Sequence, residues 1–173
     1  KSNLDNWFQA VFMNGGNYKT HSYGASYVNY FSDTSFCNDR SIVSGNGYDF
    51  VPGTFYGVYN RLYTNKSPSL KCANKNDRYT QNDTTNGNGW LNYPVSLITA
   101  DEVAMAGGKY GNVNTEYYLY NGDYYWTLSP SYFDQHYALS SVWYVARAGY
   151  LSYTWTSRSH GMRAVLNLKP DVL

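Results

Sequence analysis

The sequence predicts an α+β domain, and three observations predict it. An amphipathic stretch opens the chain at helical spacing. A second helix is announced near residue 100 by its own capping residues. The last third consists of short apolar and aromatic runs with period-two alternation, separated by Gly, Pro, Asn and Ser.

At the start, Ser2 is placed to N-cap a helix, with Asp5 in the capping-box position. Leu4, Trp7, Phe8, Val11 and Phe12 follow on one face, and Gly15-Gly16 ends the helix. Residues 17–35 are polar and aromatic without a period and read as loop. Residues 55–62 read as a short helix, weakened by Gly57. Residues 74–88 are a polar run that closes in Asn86-Gly87-Asn88-Gly89, and read as a surface loop.

Residues 94–98 read as a buried strand. Thr99 and Glu102 form a capping box for a helix that runs through Met105, with Gly107 at its C′ position. Asp101 and Glu102 occupy the first turn, where the helix dipole favours negative charge. That assigns them to structure rather than to an acid–base pair.

In the last third, Trp126 and Leu128 lie in an apolar run bounded by Pro130, and Val165, Leu166 and Leu168 lie in a terminal one. Residues 142–145 read as a strand, Arg147-Ala148-Gly149 as a turn, and residues 150–155 as the return strand. Alternation puts Trp143 and Val145 on one face and Tyr144 and Ala146 on the other. Trp126, Trp143, Gly161 and Arg163 are expected to be structural. Arg163 sits in an otherwise apolar run and must find an ionic partner or carbonyls, because an unpaired buried charge is costly.

A chain of 173 residues suits one domain with its own core. A net charge of +1 gives no electrostatic case for nucleic acid or an anionic membrane. Charged residues are only 14% of the chain, aromatics are 19%, and 21 residues are tyrosine. That balance suits an extracellular β-rich domain or a recognition surface, since Tyr offers large contact area for few rotatable bonds. No run approaches the ~20 apolar residues that span a bilayer. No leader peptide is visible, and the chain opens straight into a helix, as a processed or truncated piece would.

Little in the sequence points to catalysis. His21, His136 and His160 are far apart and lack zinc-ligand spacing. There is no nucleophile elbow and no phosphate-cradling loop. Asp123 and Asp134 flank the aromatic stretch and are the one pair open to a glycosidase reading. No cofactor or metal is implied. The sequons at Asn65 and Asn82 match by pattern alone. Aromatic and arginine side chains are enriched at binding hot spots. On that ground the candidate site is Tyr132, Phe133, Asp134, His136, Tyr144, Arg147, Tyr150, Ser152, Thr154, Arg158 and His160, with Gln135 and Tyr137 in the same stretch.

The order Trp126-Thr127-Leu128-Ser129-Pro130, Val142-Trp143-Tyr144-Val145, Gly149-Tyr150-Leu151 and Gly161-Met162-Arg163-Ala164-Val165-Leu166-Asn167-Leu168-Lys169 resembles Gram-positive bacterial surface and pilin-like proteins. Their ends resemble a C-type-lectin-type fold, as in formylglycine-generating enzymes and retroelement-diversified binding proteins. Segments around Cys37, Tyr59-Asn60-Arg61-Leu62, Cys72 and residues 97–103 extend the surface-protein likeness over most of the chain; the lectin-type likeness covers the last third. Ala164 stands where the Gly-x-Arg-Pro-Val version has proline.

The resemblance implies a single domain over residues 1–173, with a helix- and loop-rich part (1–90) and a sheet core with a ligand-presenting hairpin (91–173). It implies short helices around a small twisted antiparallel sheet with long loops. It implies a non-enzymatic adhesin on the cell surface, a pilus or a phage particle, with a host or bacterial surface protein or glycan as partner. The alternatives are a secreted carbohydrate-active enzyme and a structural pilus or cell-wall subunit. The oxidising cysteines of the formylglycine-generating relatives have no counterpart in the last third. Nor are the Glu-Pro-Asn and Trp-Asn-Asp runs of calcium-dependent lectins present. For an exported protein, Cys37 and Cys72 most simply form one disulfide. The rival reading, a catalytic or metal-binding pair, lacks CxxC spacing and a nearby His.

Overall fold

The computed structural model describes residues 1–13, 27–47, 53–134 and 139–172. Among them are the helices α1 (Ser2–Phe12), α2 (Gly57–Tyr59) and α3 (Ala100–Met105). The strands are β1 (Phe36–Cys37), β2 (Ile42–Ser44), β3 (Thr54–Tyr56), β4 (Arg78–Tyr79), β5 (Ser96–Leu97), β6 (Tyr125–Asp134), β7 (Leu139–Val145), β8 (Leu151–Trp155), β9 (Gly161–Met162) and β10 (Ala164–Val165). The class is α+β. The expected ending at Gly15-Gly16 and most of the 17–35 loop lie outside the described residues.

The main sheet runs β2-β3-β6-β7-β8, with β9 also on β6. One edge of β6 is taken by β7. Its other edge is shared: β3 pairs antiparallel near Asp134, and β9 pairs parallel at Tyr125 and Trp126. Between them the Leu128 N–H donates to the Ile98 carbonyl at 2.8 Å. The Ala100 N–H donates to the Ser129 hydroxyl at 2.9 Å, so the start of α3 is pinned to the middle of the strand.

β6 does not end at Pro130, as the sequence implied, but continues to Asp134. Proline cannot donate to a ladder, and the register shifts on both sides of Pro130 are what let it stay in the sheet. Near that irregularity the Thr127 hydroxyl donates to the Trp143 carbonyl at 2.8 Å. The bond satisfies a buried backbone acceptor.

The main core is built on Trp143, Val145, Leu151, Tyr125, Val58, Leu62 and Val103, with Trp143 at 0% exposure. The expected hairpin is present, with Val142 opposite Thr154 and Tyr144 opposite Ser152. Gly149 closes it with φ +79°, and a Cβ there would collide with the Asn114 carbonyl. A second cluster holds α1 through Leu4 and Phe8 against Phe31 and Val95. Trp7 stays on the exposed side of α1. Ser2 is not the cap: the helix begins one residue earlier than a Ser cap requires. Lys1 anchors it instead, donating to Asp5 at 2.5 Å and to the Val95 carbonyl at 3.0 Å.

Three further expectations are corrected. The first two residues of the expected 55–62 helix, Phe55 and Tyr56, are strand, because Thr54 and Phe55 pair with Phe133 and Tyr132. The helical turn starts at Gly57, where any Cβ would strike Ser41 and close approach is the requirement. Residues 74–88 are more than a surface loop. Asp77 is buried and holds Arg40 through both the backbone N–H (3.1 Å) and Nε (2.6 Å), and β4 pairs with β1. Asp33 accepts the backbone N–H groups of Gln81, Asn82 and Asp83. The terminal run is not one buried strand. It splits into β9 on β6, β10 on β5, and a bridge from Leu168 to Phe31. Arg163 bonds the Leu119 carbonyl and lies 5.2 Å over the Tyr125 ring, as its surroundings demanded.

The α3 capping box forms, with Thr99 and Glu102 each bonding the other's backbone. Asp101 does more than favour the helix dipole. Its carboxylate takes both Nε (3.0 Å) and Nη2 (2.8 Å) of Arg61, and the Ser69 N–H at 2.8 Å. The third arm of Arg61 reaches Asp39 at 2.6 Å. Burial pushes the Asp39 carboxyl up, but Arg61 and the Ser41 hydrogen bonds outweigh it and hold it below the usual range. Burial likewise pulls Arg61 down, and the two carboxylates outweigh it, raising it.

Cys37 and Cys72 form the disulfide, with Cα atoms 5.8 Å apart. Among the described residues no helix is long and apolar enough to cross a membrane.

Reducing the disulfide should cost about 3–4 kcal/mol by loop-closure entropy, read from urea unfolding with and without reductant. Arg61→Ala should cost about 3–5 kcal/mol, because it strands two carboxylates, one of them buried. The Asp39 contribution is complete above the ordinary aspartate range of about 4 and fades as pH falls below it. Acid should therefore destabilise the wild type more than the Arg61→Ala variant.

Candidate ligand-binding face

Pairing register sorts the predicted site residues between the two sides of the sheet. Trp126 pairs with Tyr144 and Tyr144 with Ser152; Val142 pairs with Thr154. Directly paired residues point the same way. Trp126, Val142, Tyr144, Ser152 and Thr154 therefore share the face opposite Trp143, Val145 and Leu151. All of them are half-buried, and none belongs to either core cluster.

An aromatic box stands on this open face. The His160 ring is stacked on Tyr124 at 5.1 Å and 18°. It is tilted against Trp126 at 4.5 Å and against Tyr144 at 4.9 Å. The Arg147 guanidinium lies 5.4 Å over the Tyr124 ring. Burial raises the Tyr144 phenol, with a Ser152 hydrogen bond opposing and Tyr150 adding to the rise, so Tyr144 stays a neutral donor. Arg158 is exposed at the turn after β8 and is felt electrostatically by His160.

Tyr144, Ser152 and Thr154 thus share one side of the sheet, with His160 against Tyr144, Arg147 and Tyr150 at the turn before β8, and Arg158 at the turn after it. Tyr132 is not with them. It pairs with Ser141, on the core side, and packs on Phe55 at 4.6 Å. Its hydroxyl donates to Asp134 at 2.8 Å. Phe133 pairs with Ser140 and so belongs to the open side. It sits four residues along β7 from Tyr144, about 13 Å away. The expectation of one patch holding Tyr132, Tyr144 and Tyr150 is corrected. The shifts around Pro130 reverse the parity of the strand between Trp126 and Tyr132. His136, Gln135, Tyr137 and His21 lie outside the described residues.

Sequence reasoning missed Tyr124 and set Trp126 aside as structural. β6 buries Tyr125, Thr127, Ser129 and Ser131, and leaves Trp126 half-exposed on the other side. The available signal was period-two counting through the hydroxyl residues rather than the apolar ones.

Asp123 and Asp134 cannot flank one glycosidic bond. They sit beyond and at opposite ends of a ten-residue strand, which spans roughly 30 Å, whereas glycosidase pairs are about 5–10 Å apart. Among the described residues no group of His, Cys, Asp or Glu is placed to hold a metal ion. No family model matches this chain, and no curated protein or solved structure matches it.

His160 Nε2 is buried without a hydrogen-bond partner among the described residues. Burial lowers the imidazole pKa and the Arg158 cation lowers it further, against a hydrogen bond at Ser159. The folded protein therefore binds this proton less readily than the unfolded chain. An NMR titration should place the ring midpoint below the ordinary value of about 6.5, with stability falling as pH drops through that value.

Proposed function

We propose that this domain is a non-enzymatic binding module of C-type-lectin-type architecture, displayed outside the cell, that holds a protein or glycan ligand against the open face of its sheet. The observation that carries the reading is the box of Tyr124, Trp126 and Tyr144 around His160, on a face that neither core cluster covers. Rings in this setting offer area, and Ser152, Thr154 and Arg147 at the margin offer hydrogen bonds. Hot spots combine these two properties. The disulfide and the low charged fraction fit an oxidising, extracellular setting. The sequence likeness to bacterial surface and retroelement-diversified proteins supports the same reading.

The test is a glycan array together with adhesion to bacterial and host cells, run on the wild type and on alanine variants. Tyr144→Ala and Trp126→Ala should each weaken binding about tenfold or more, while Tyr132→Ala, on the other side of the sheet, should leave it unchanged. Equal binding by all four proteins would favour a structural wall or pilus subunit and refute the proposal.

A further inference from the structure

A separate groove of about 950 Å³ lies on the other side of the sheet, between the helical turn after α2 and the residue 109–112 turn. Its size is that of pockets that take small organic ligands, ~300–1,000 Å³. Tyr63 and Tyr110 meet edge-to-face at 4.9 Å along it, with Tyr63 44% exposed. Tyr63 is backed by Tyr59, stacked at 4.9 Å, and Tyr110 by Tyr153, stacked at 6.0 Å. The platform is therefore rigid. Burial keeps the Tyr110 phenol neutral by raising its pKa.

Lys66 and Lys109 both line the groove, and among the described residues no acidic one does. The placement of Lys66 is locally unfavourable. Residues Asn60–Asn65 form a π-helical turn, a rare form. Lys66 follows it at φ 52°, the one described non-glycine residue with positive φ. Glycine fits that position at least cost. The Lys66 side chain is not what caps the turn, because its backbone N–H does so by donating to the Arg61 carbonyl. Thr64 and Asn112 supply neutral hydrogen-bonding groups beside the rings.

We infer that this groove binds an acidic saccharide, a short oligomer carrying carboxylates on its sugar rings. A sugar ring presents a C–H face that lies on an aromatic side chain and a rim of hydroxyls that bonds Thr64 and Asn112. The carboxylates answer the two unopposed lysines. The inference is independent of the open face: either site can fail alone.

Titration calorimetry with three probes tests it: trigalacturonate, neutral maltotriose, and a capped tripeptide of glutamates. Trigalacturonate should bind saturably below about 1 mM, with the other two about tenfold weaker or worse. High salt should weaken it, because the lysines are solvent-accessible. Lys66→Gly should lower affinity roughly 3- to 10-fold while holding or raising the melting temperature, because glycine relieves the positive φ. That pairing separates a binding role from a structural one. Lys109→Ala and Tyr63→Ala should lower affinity with the fold intact by circular dichroism. Absence of trigalacturonate binding, equal binding of maltotriose, equal binding of the tripeptide, or unaltered affinity in Lys66→Gly would each overturn the inference.

Discussion

One guanidinium joins three segments of this molecule that are distant in sequence. Arg61 reaches back to Asp39, beside the disulfide, and forward to Asp101 in the first turn of α3. Asp101 in turn holds the Ser69 N–H on the way to Cys72. The helical turn, the loop carrying the disulfide and α3 therefore meet at a single charged node. A bidentate arginine suits this place because its fork satisfies one carboxylate in two directions and leaves an arm for another. Hydrophobic packing then needs only to seat α3 and Val58–Leu62 residues on the sheet, which Trp143, Val145 and Leu151 accomplish.

That packing takes one side of the sheet, and among the described residues neither core cluster covers the half-buried Trp126, Tyr144 and Ser152 on the other. The division is sharp along β7, where Ser141, Trp143 and Val145 are buried and Val142 and Tyr144 are not. It is less obvious along β6, whose core side is largely hydroxyl. Thr127 and Ser129 are tolerable there because each bonds a backbone group, Thr127 the Trp143 carbonyl of β7 and Ser129 the N–H that opens α3. Polar core residues are the consequence of a strand that has two partners on one edge and a proline in the middle.

This explains which features were legible in the sequence. The β7–β8 hairpin announced itself through alternation and Gly149, and α3 through Thr99 and Glu102. Those signals are local, and local chemistry decides them. The disulfide followed from counting two cysteines with neither CxxC spacing nor a nearby histidine. The pairing of Thr54 and Phe55 with the end of β6 was hidden, because nothing near residue 54 says which distant strand it meets. The roles of Asp33, Asp77 and Arg61 were hidden for the same reason: each acts on a backbone or charge at least 20 residues away. Lys66 was visible only as part of a sequon, since no sequence rule places a lysine at positive φ.

The division of the predicted site turns on a single residue. Read as an unbroken alternation, Trp126, Leu128, Pro130 and Tyr132 would all fall on one side of β6. The register shift between Pro130 and Tyr132 breaks that count, so Trp126 lies opposite Tyr144 and Pro130 opposite Val142, while Tyr132 lies opposite Ser141. An aromatic-rich stretch is thereby dealt to both sides of one sheet. Part of it surrounds His160 in the open, and part continues through Phe55 and Tyr59 toward Tyr153 and the lysine-lined groove. Tyrosine richness alone therefore marks no site in this chain; the position of a bulge decides which rings lie on each side of the sheet.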